Sequence, residues 1–133
     1  MRFVLDASVT ITWAMRDEDR PIADVAFGEL GSGSALVPAI WWYEIRNILV
    51  LNERRGRIAA GDSAQFLLAL QRLAIEIDFP HDDAWTMDLS RRYKLSVYDA
   101  AYLALAVREG LPLATLDKDL AAAAGAAGVS LVG

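Results

Sequence analysis

The spacing of apolar residues changes period repeatedly along this chain. Short runs rich in strand formers predict strands: RFVLD at 2–6, ALVP at 35–38, AIEIDF at 74–79, LPLATLD at 111–117 and VSLVG at 129–133. Between them lie segments with helical spacing: VTITWAM at 9–15, DRPIADVAFGEL at 19–30, AIWWYEIRNILVLNERRG at 39–56 and GDSAQFLLALQRL at 61–73. Three more follow, HDDAWTMDLSRRYK at 81–94, LSVYDAAYLALAVREG at 95–110 and KDLAAAAGAAG at 118–128. Short strands alternating with helices predict an α/β domain, with a mostly parallel sheet covered on both faces.

Local signals sharpen several ends. Pro21 falls near a first helical turn, GSGS at 31–34 reads as a turn, and Gly56 follows a basic cluster as a C-terminal stop. Asp62 and Gln65 have the spacing of a capping box, as do Ser96 and Asp99. The helix at 81–94 is acidic at its start and basic at its end, as the helix dipole favours. Neither an internal repeat nor a linker is visible, so a single domain over 1–133 is expected.

Composition narrows the chemistry. Hydrophobic residues make up 55% of the 133, and mean hydropathy is +0.27; both predict a large core with apolar surface kept for a partner. The formal net charge of −5 rules out nucleic-acid binding by overall charge alone. With no Cys and a single His, His81, disulfides, thiolate metal sites and His-rich zinc sites are excluded. Asp6 interrupts the N-terminal apolar run, and the apolar stretch near the end is short and broken by glycines. Neither reads as a signal peptide or a membrane span, so a cytoplasmic protein with no membrane contact is expected.

Ligands of open parallel sheets bind beyond the carboxyl ends of the strands. Four acids fall there: Asp6 after the first strand, Glu44 early in the helix after ALVP, Asp99 in the first turn of its helix, and Asp117 after LPLAT. Each has an ordinary alternative. Asp6 and Asp117 could be helix caps, Asp99 part of a capping box, and Glu44 an exposed helix residue. Together the alternatives weaken, because VLDAS, WWYEIRN, VYDAAY and ATLDKD each set an acid among apolar neighbours, where an isolated carboxylate is costly. Carboxylates brought together resist ionisation unless a cation joins them, and an oxygen-only donor set suits Mg²⁺ or Mn²⁺.

The motifs LDAS at 5–8, Glu44 in YEIRN, YDAAYLALA at 98–106 and LATLDKDL at 113–120 resemble those of the PIN-domain family, specifically its VapC-type toxin ribonucleases. The resemblance spans nearly the whole chain, and YDAAYLALA followed by TLDKDL is its most specific part. It implies a three-layer α/β/α sandwich, an acidic pocket binding Mg²⁺ or Mn²⁺, and endoribonuclease activity as the toxin of a toxin–antitoxin pair. The implied site is Asp6, Glu44, Asp99 and Asp117, with Asp6 and Asp99 as core metal ligands. Ser8 and Thr115 match the hydroxyl residues beside them, and Asp119 is a further acid nearby. The implied partners are RNA, an antitoxin and a second copy of the chain in a homodimer.

The chemistry requires no nucleophilic side chain, because metal-activated water can attack the phosphodiester. RNA contacts would come from local cations: Arg46, the cluster Arg54, Arg55 and Arg57, or RRYK at 91–94. Trp41, Trp42 and Tyr43 cannot all face one core from a helix, so part of this run suits base stacking or an interface. Two other readings compete. A receiver-like signalling domain would use Asp78 as phospho-acceptor beside Thr115 and Lys118, but Asp6 lacks the second N-terminal acid it needs. A non-catalytic RNA-binding PIN scaffold would not need the intact acid set.

Overall fold

The structure, a computed structural model, describes residues 1–15 and 20–133. Its centre is a four-stranded, all-parallel sheet in the order β3-β2-β1-β4. The strands are β1 (Arg2–Leu5), β2 (Ser34–Pro38), β3 (Ile75–Asp78) and β4 (Leu113–Ala114). Phe3, Val4 and Leu5 of β1 are all fully buried. Successive side chains of a strand point to opposite faces, so both faces of β1 are covered. β3 is only half-buried, as suits an edge strand.

Around the sheet the described residues form α1 (Ala7–Thr10), which runs into a single 3₁₀ turn (Ile11–Trp13), and α2 (Pro21–Glu29). They are followed by α3 (Ile40–Arg54), α4 (Ala60–Gln71), α5 (Asp83–Tyr93), α6 (Val97–Glu109) and α7 (Lys118–Ala126). Asp19, where the sequence pattern starts the second helix, lies outside the described residues; the described helix begins at Pro21. α6 packs on β1, β2 and β4 and contacts α5 and α7. Its Ala100, Tyr102, Leu103, Leu105 and Ala106 are buried, which is why the segment is so apolar. α3 turns Trp41, Ile45, Leu49 and Asn52 inward, one face of a 3.6-residue period.

Three expectations change. VSLVG forms no full strand: it makes one parallel bridge, Leu113 to Leu131, closed by Leu113 N–H to Ser130 C=O and Val132 N–H to Leu113 C=O. β4 is shorter than LPLATLD because the residues after Ala114 turn out of the sheet toward α7. Asp62 is not the cap residue of α4. It sits at N3, where its carboxylate accepts the Ala59 N–H at 2.9 Å, so the helix starts earlier than the Asp62–Gln65 spacing suggests.

The strand order puts β1 between β2, which follows it, and β4, which closes the sheet on its other side. The chain's progression across the sheet therefore reverses at the β1–β4 pair. The cleft beyond the carboxyl ends of such a pair is where open α/β sheets take ligands.

Candidate active site

Asp6 follows β1 and Thr115 follows β4, so the two strands at the reversal bring them side by side. Asp6 is buried, with 4% of its surface exposed. Its Oδ2 accepts two hydroxyl hydrogen bonds, from Ser8 Oγ at 2.6 Å and from Thr115 Oγ1 at 2.8 Å. Each hydroxyl is fixed by a backbone donor: Leu116 N–H on Ser8 Oγ at 2.9 Å and Asp117 N–H on Thr115 Oγ1 at 3.0 Å. A buried carboxylate is thus held by a rigid clamp reaching across 109 residues of sequence. Its side chain does not cap α1, which disposes of the capping alternative.

Glu44 lies early in α3 and is half-buried; its Oε1 accepts the Tyr102 hydroxyl at 2.7 Å. Asp99 is at the third position of α6, also half-buried. The helix cap there is Ser96, whose Oγ accepts the Asp99 N–H at 3.0 Å. The Asp99 carboxylate has the Ser96 side chain beside it and feels the charges of Asp117 and Asp6. Asp117 has two duties: it caps α7, with Oδ1 accepting the Leu120 N–H at 2.8 Å, and its charge acts on Asp6 and Asp99. Asp119 is exposed, and its charge is felt by Asp99.

Electrostatics bind the group together. The Asp6 carboxyl is pushed above its ordinary value by burial and by Asp117, against the lowering effect of Ser8 and Thr115. Glu44 is pushed up by burial, opposed by the Tyr102 hydrogen bond, and pushed up further by Asp6 and Asp99. Asp99 is raised by burial, then by Asp117 and Asp6, against the lowering effect of the Ser96 side chain, with Asp119 adding to the rise. Among the described residues no Lys or Arg is ion-paired with any of these acids. As placed, no three of them among the described residues stand close enough to share one ion. Their chemistry nonetheless fits a hard divalent cation: oxygen donors only, repelling one another, and with no counter-charge ion-paired to them among the described residues.

The cations named from sequence separate into three places. Arg46 lies 3.8 Å over the Trp42 ring and donates to the Trp42 carbonyl at 3.0 Å; burial lowers its basicity. Arg54 and Arg55 end α3, ten residues after Glu44 and so about 15 Å further along the axis, with Arg57 just beyond. Arg57 also donates to Asn52 Oδ1 at 3.2 Å. By contrast, Arg92, Tyr93 and Lys94 line a cleft of about 530 Å³ together with Asp119 and the Ala122, Ala123 and Ala126 side of α7. That cleft adjoins the acid group through Asp119.

The aromatic run splits as helical geometry requires. Trp41 is buried and donates to Thr10 Oγ1 at 3.0 Å, while Trp42 and Tyr43 are exposed. Asp78, the acceptor a receiver-like domain would need, is at the edge strand and paired with Arg108 at 2.7 Å. Tyr102 is the functional candidate that sequence reading passed over. Its signal is a hydroxyl on an otherwise aliphatic buried helix face, three residues after Asp99, because a buried phenol needs a partner.

A PIN domain family model matches residues 3–126. Ribonuclease VapC3 of Pyrobaculum aerophilum is 31% identical over 126 residues, covering 91% of this chain and 93% of that protein. A crystal structure of a protein from P. aerophilum superposes with a TM-score of 0.72 at 22% identity, covering 92% of this chain and 79% of that one. A toxin–antitoxin complex from Klebsiella pneumoniae gives 0.60 at 23% identity, with 90% of each chain covered. Mycobacterium tuberculosis VapC20, described as a sarcin–ricin loop cleaving toxin, gives 0.58 at 15% identity, with 92% of this chain and 95% of that one covered.

Proposed function

This chain belongs to the PIN domain family, and from that premise we propose that it is a Mg²⁺- or Mn²⁺-dependent endoribonuclease acting as the toxin of a toxin–antitoxin pair. The observation that carries the reading is the group Asp6, Glu44 and Asp99: three acids from three separate elements, each resisting ionisation through burial and the charge of neighbouring acids, with no Lys or Arg ion-paired to them among the described residues. Evolving an uncompensated group of this kind for stability alone makes little physical sense, because every term raises its cost.

Asp6 and Asp99 are the core ligands in this proposal, with Glu44 and Asp117 completing the set. Bound there, a divalent cation supplies an activated water and neutralises phosphate charge. The chain's own residues do the rest. Ser8 and Thr115 fix the Asp6 carboxylate, and the first turn of α6, capped by Ser96, presents Asp99. The cleft offers the Lys94 ammonium to the RNA backbone on a protein whose net charge is negative, beside Arg92, which pairs with Asp88 at 2.7 Å.

The partner half of the proposal has its own support. Ribonuclease VapC3 and the Klebsiella toxin–antitoxin complex are relatives in sequence and in fold respectively. Trp42, Tyr43, Val50, Leu68 and Phe79 are all exposed, surface suited to an antitoxin and to a second copy of the chain. Among the described residues no helix is long and apolar enough to cross a membrane.

The deciding experiment is RNA cleavage by purified protein with Mg²⁺ or Mn²⁺, then with EDTA. Metal-supported cleavage that chelation abolishes is expected; undiminished cleavage in EDTA overturns the metal reading. Expression alone should arrest growth, and co-expression of a small protein encoded beside it should relieve the arrest. A harmless chain that its gene neighbour's product does not bind would remove the toxin assignment and leave the nuclease one standing.

A further inference from the structure

Tyr102 is a large side chain with no exposed surface, yet its hydroxyl reaches the acid group. Helix α6 arranges this: Asp99 and Tyr102 are three residues apart and so lie on one side of the helix, a turn apart. The hydroxyl donates to Glu44 Oε1 at 2.7 Å, joining α6 to α3 across 58 residues of sequence. The backbone amide of Ala7, next to Asp6, acts on the same phenol oxygen. Tyr102 therefore stands where the three acid-bearing elements meet. Burial and the charges of Asp6 and Glu44 push the phenol far above its ordinary value, so the group remains a donor throughout the working range.

Packing alone does not account for the hydroxyl. Phe would fill the same volume and would spare the cost of burying a polar atom. The hydrogen bond does what packing cannot: it commits one specific oxygen of Glu44. Oε2 makes no hydrogen bond among the described residues. Glu44 without this anchor is a flexible side chain with several rotamers, pushed away by the charges of Asp6 and Asp99.

We propose that Tyr102 is a positioning residue for the site, holding Glu44 Oε1 so that Oε2 is kept for the divalent cation. Partners of this kind, which orient a ligating carboxylate, are worth about 10- to 100-fold in metal affinity. The proposal rests on the metal-dependent reading of the site, and its test separates the two.

Mn²⁺ binding is measured by calorimetry on four proteins: wild type, Tyr102→Phe, Glu44→Gln and the double variant. Circular dichroism melting serves as the control for folding. Tyr102→Phe should weaken Mn²⁺ binding roughly 10-fold. In the Glu44→Gln background it should have almost no further effect, because the oxygen it orients is no longer a charged ligand. Equal losses in both backgrounds would mean a general structural role and overturn the proposal, as would unchanged affinity in Tyr102→Phe. Wild type that binds no Mn²⁺ would instead sink the metal reading, and this proposal with it. Should Tyr102→Phe not fold, Mg²⁺ titration of intact wild type gives a second readout. Metal capture by Glu44 should perturb the absorbance of the phenol bonded to it, producing a tyrosine difference spectrum that Glu44→Gln abolishes. The same spectrum in Glu44→Gln would overturn the proposal.

Discussion

Asp99 shows how one residue can satisfy a local rule and still be there for another reason. Its spacing from Ser96 is that of a capping box, and Ser96 does cap the helix by accepting the Asp99 N–H, while the Asp99 carboxylate feels the charges of Asp117 and Asp6. Asp99→Asn should therefore leave the helix start intact and lower RNA cleavage by orders of magnitude, measured as single-turnover rates with Mn²⁺. In EDTA near neutral pH the variant should melt higher than wild type, since one of several repelling charges is gone. That advantage should fade in acid, where Asp99 is protonated in wild type too. The Asp6 clamp gives a second prediction. Thr115→Val keeps the shape but removes one of the two donors on Asp6 Oδ2. Cleavage should drop about 10- to 100-fold, the usual effect of losing a group that orients a metal ligand. Ser8 and Thr115 could be named from sequence because LDAS and LATLDKDL resemble family motifs that place hydroxyls beside the acids. Tyr102 was hidden because an aromatic in an apolar helix reads as core, and only the three-dimensional approach of Glu44, 58 residues away, gives its hydroxyl a purpose.

At the scale of elements, what was legible in the sequence followed burial. β1 and β2 are buried on both faces and stand out as continuous apolar runs, and the amphipathic or apolar helices stand out by their period. Ends were less legible, because carboxylates near helix starts serve at more than one position. Asp62 acts at N3 of α4, where the sequence suggested a cap residue, and Asp117 caps α7 while also facing the acid group. VSLVG has strand-like residues but only Leu113 to pair with, a tertiary outcome that no local pattern encodes. The cations illustrate the same limit. Arg54, Arg55 and Arg57 form the denser cluster in sequence, but they lie at or just beyond the far end of α3, while the end of α5 leaves Arg92 and Lys94 in a cleft beside Asp119. Lys94→Ala should raise the KM for RNA and reduce the salt dependence of binding by about one unit of log–log slope, the signature of one lost phosphate contact. Arg54→Ala should change neither, as read from binding titrations at a series of salt concentrations.

For the whole molecule, fold stability and site chemistry pull in opposite directions, and pH shows it. Asp6, Glu44 and Asp99 all hold protons more tightly in the folded chain than their ordinary values would allow, chiefly through burial. For an acid raised in this way, the folded state binds more protons than the unfolded one between the two pKa values. Its contribution to stability is therefore full below the ordinary carboxylate range and is lost as pH rises through the folded value. In EDTA these three groups should make the protein progressively easier to melt from mildly acidic toward neutral pH. A divalent cation reverses the sign, because it needs the carboxylates ionised and binding it expels the protons they hold. Mn²⁺ at about 100 times its dissociation constant should stabilise the fold by about 2.7 kcal/mol, a rise in melting temperature on the order of 10 °C for a domain of this size. That rise should be largest near neutral pH and shrink steadily in acid, as the acids reprotonate and affinity falls. Thermal melts across pH, with Mn²⁺ and with EDTA, measure both trends in one set of samples. A Mn²⁺-induced rise independent of pH would mean that the ion is held away from these acids, and parallel pH profiles with and without metal would separate the carboxylate group from the metal altogether.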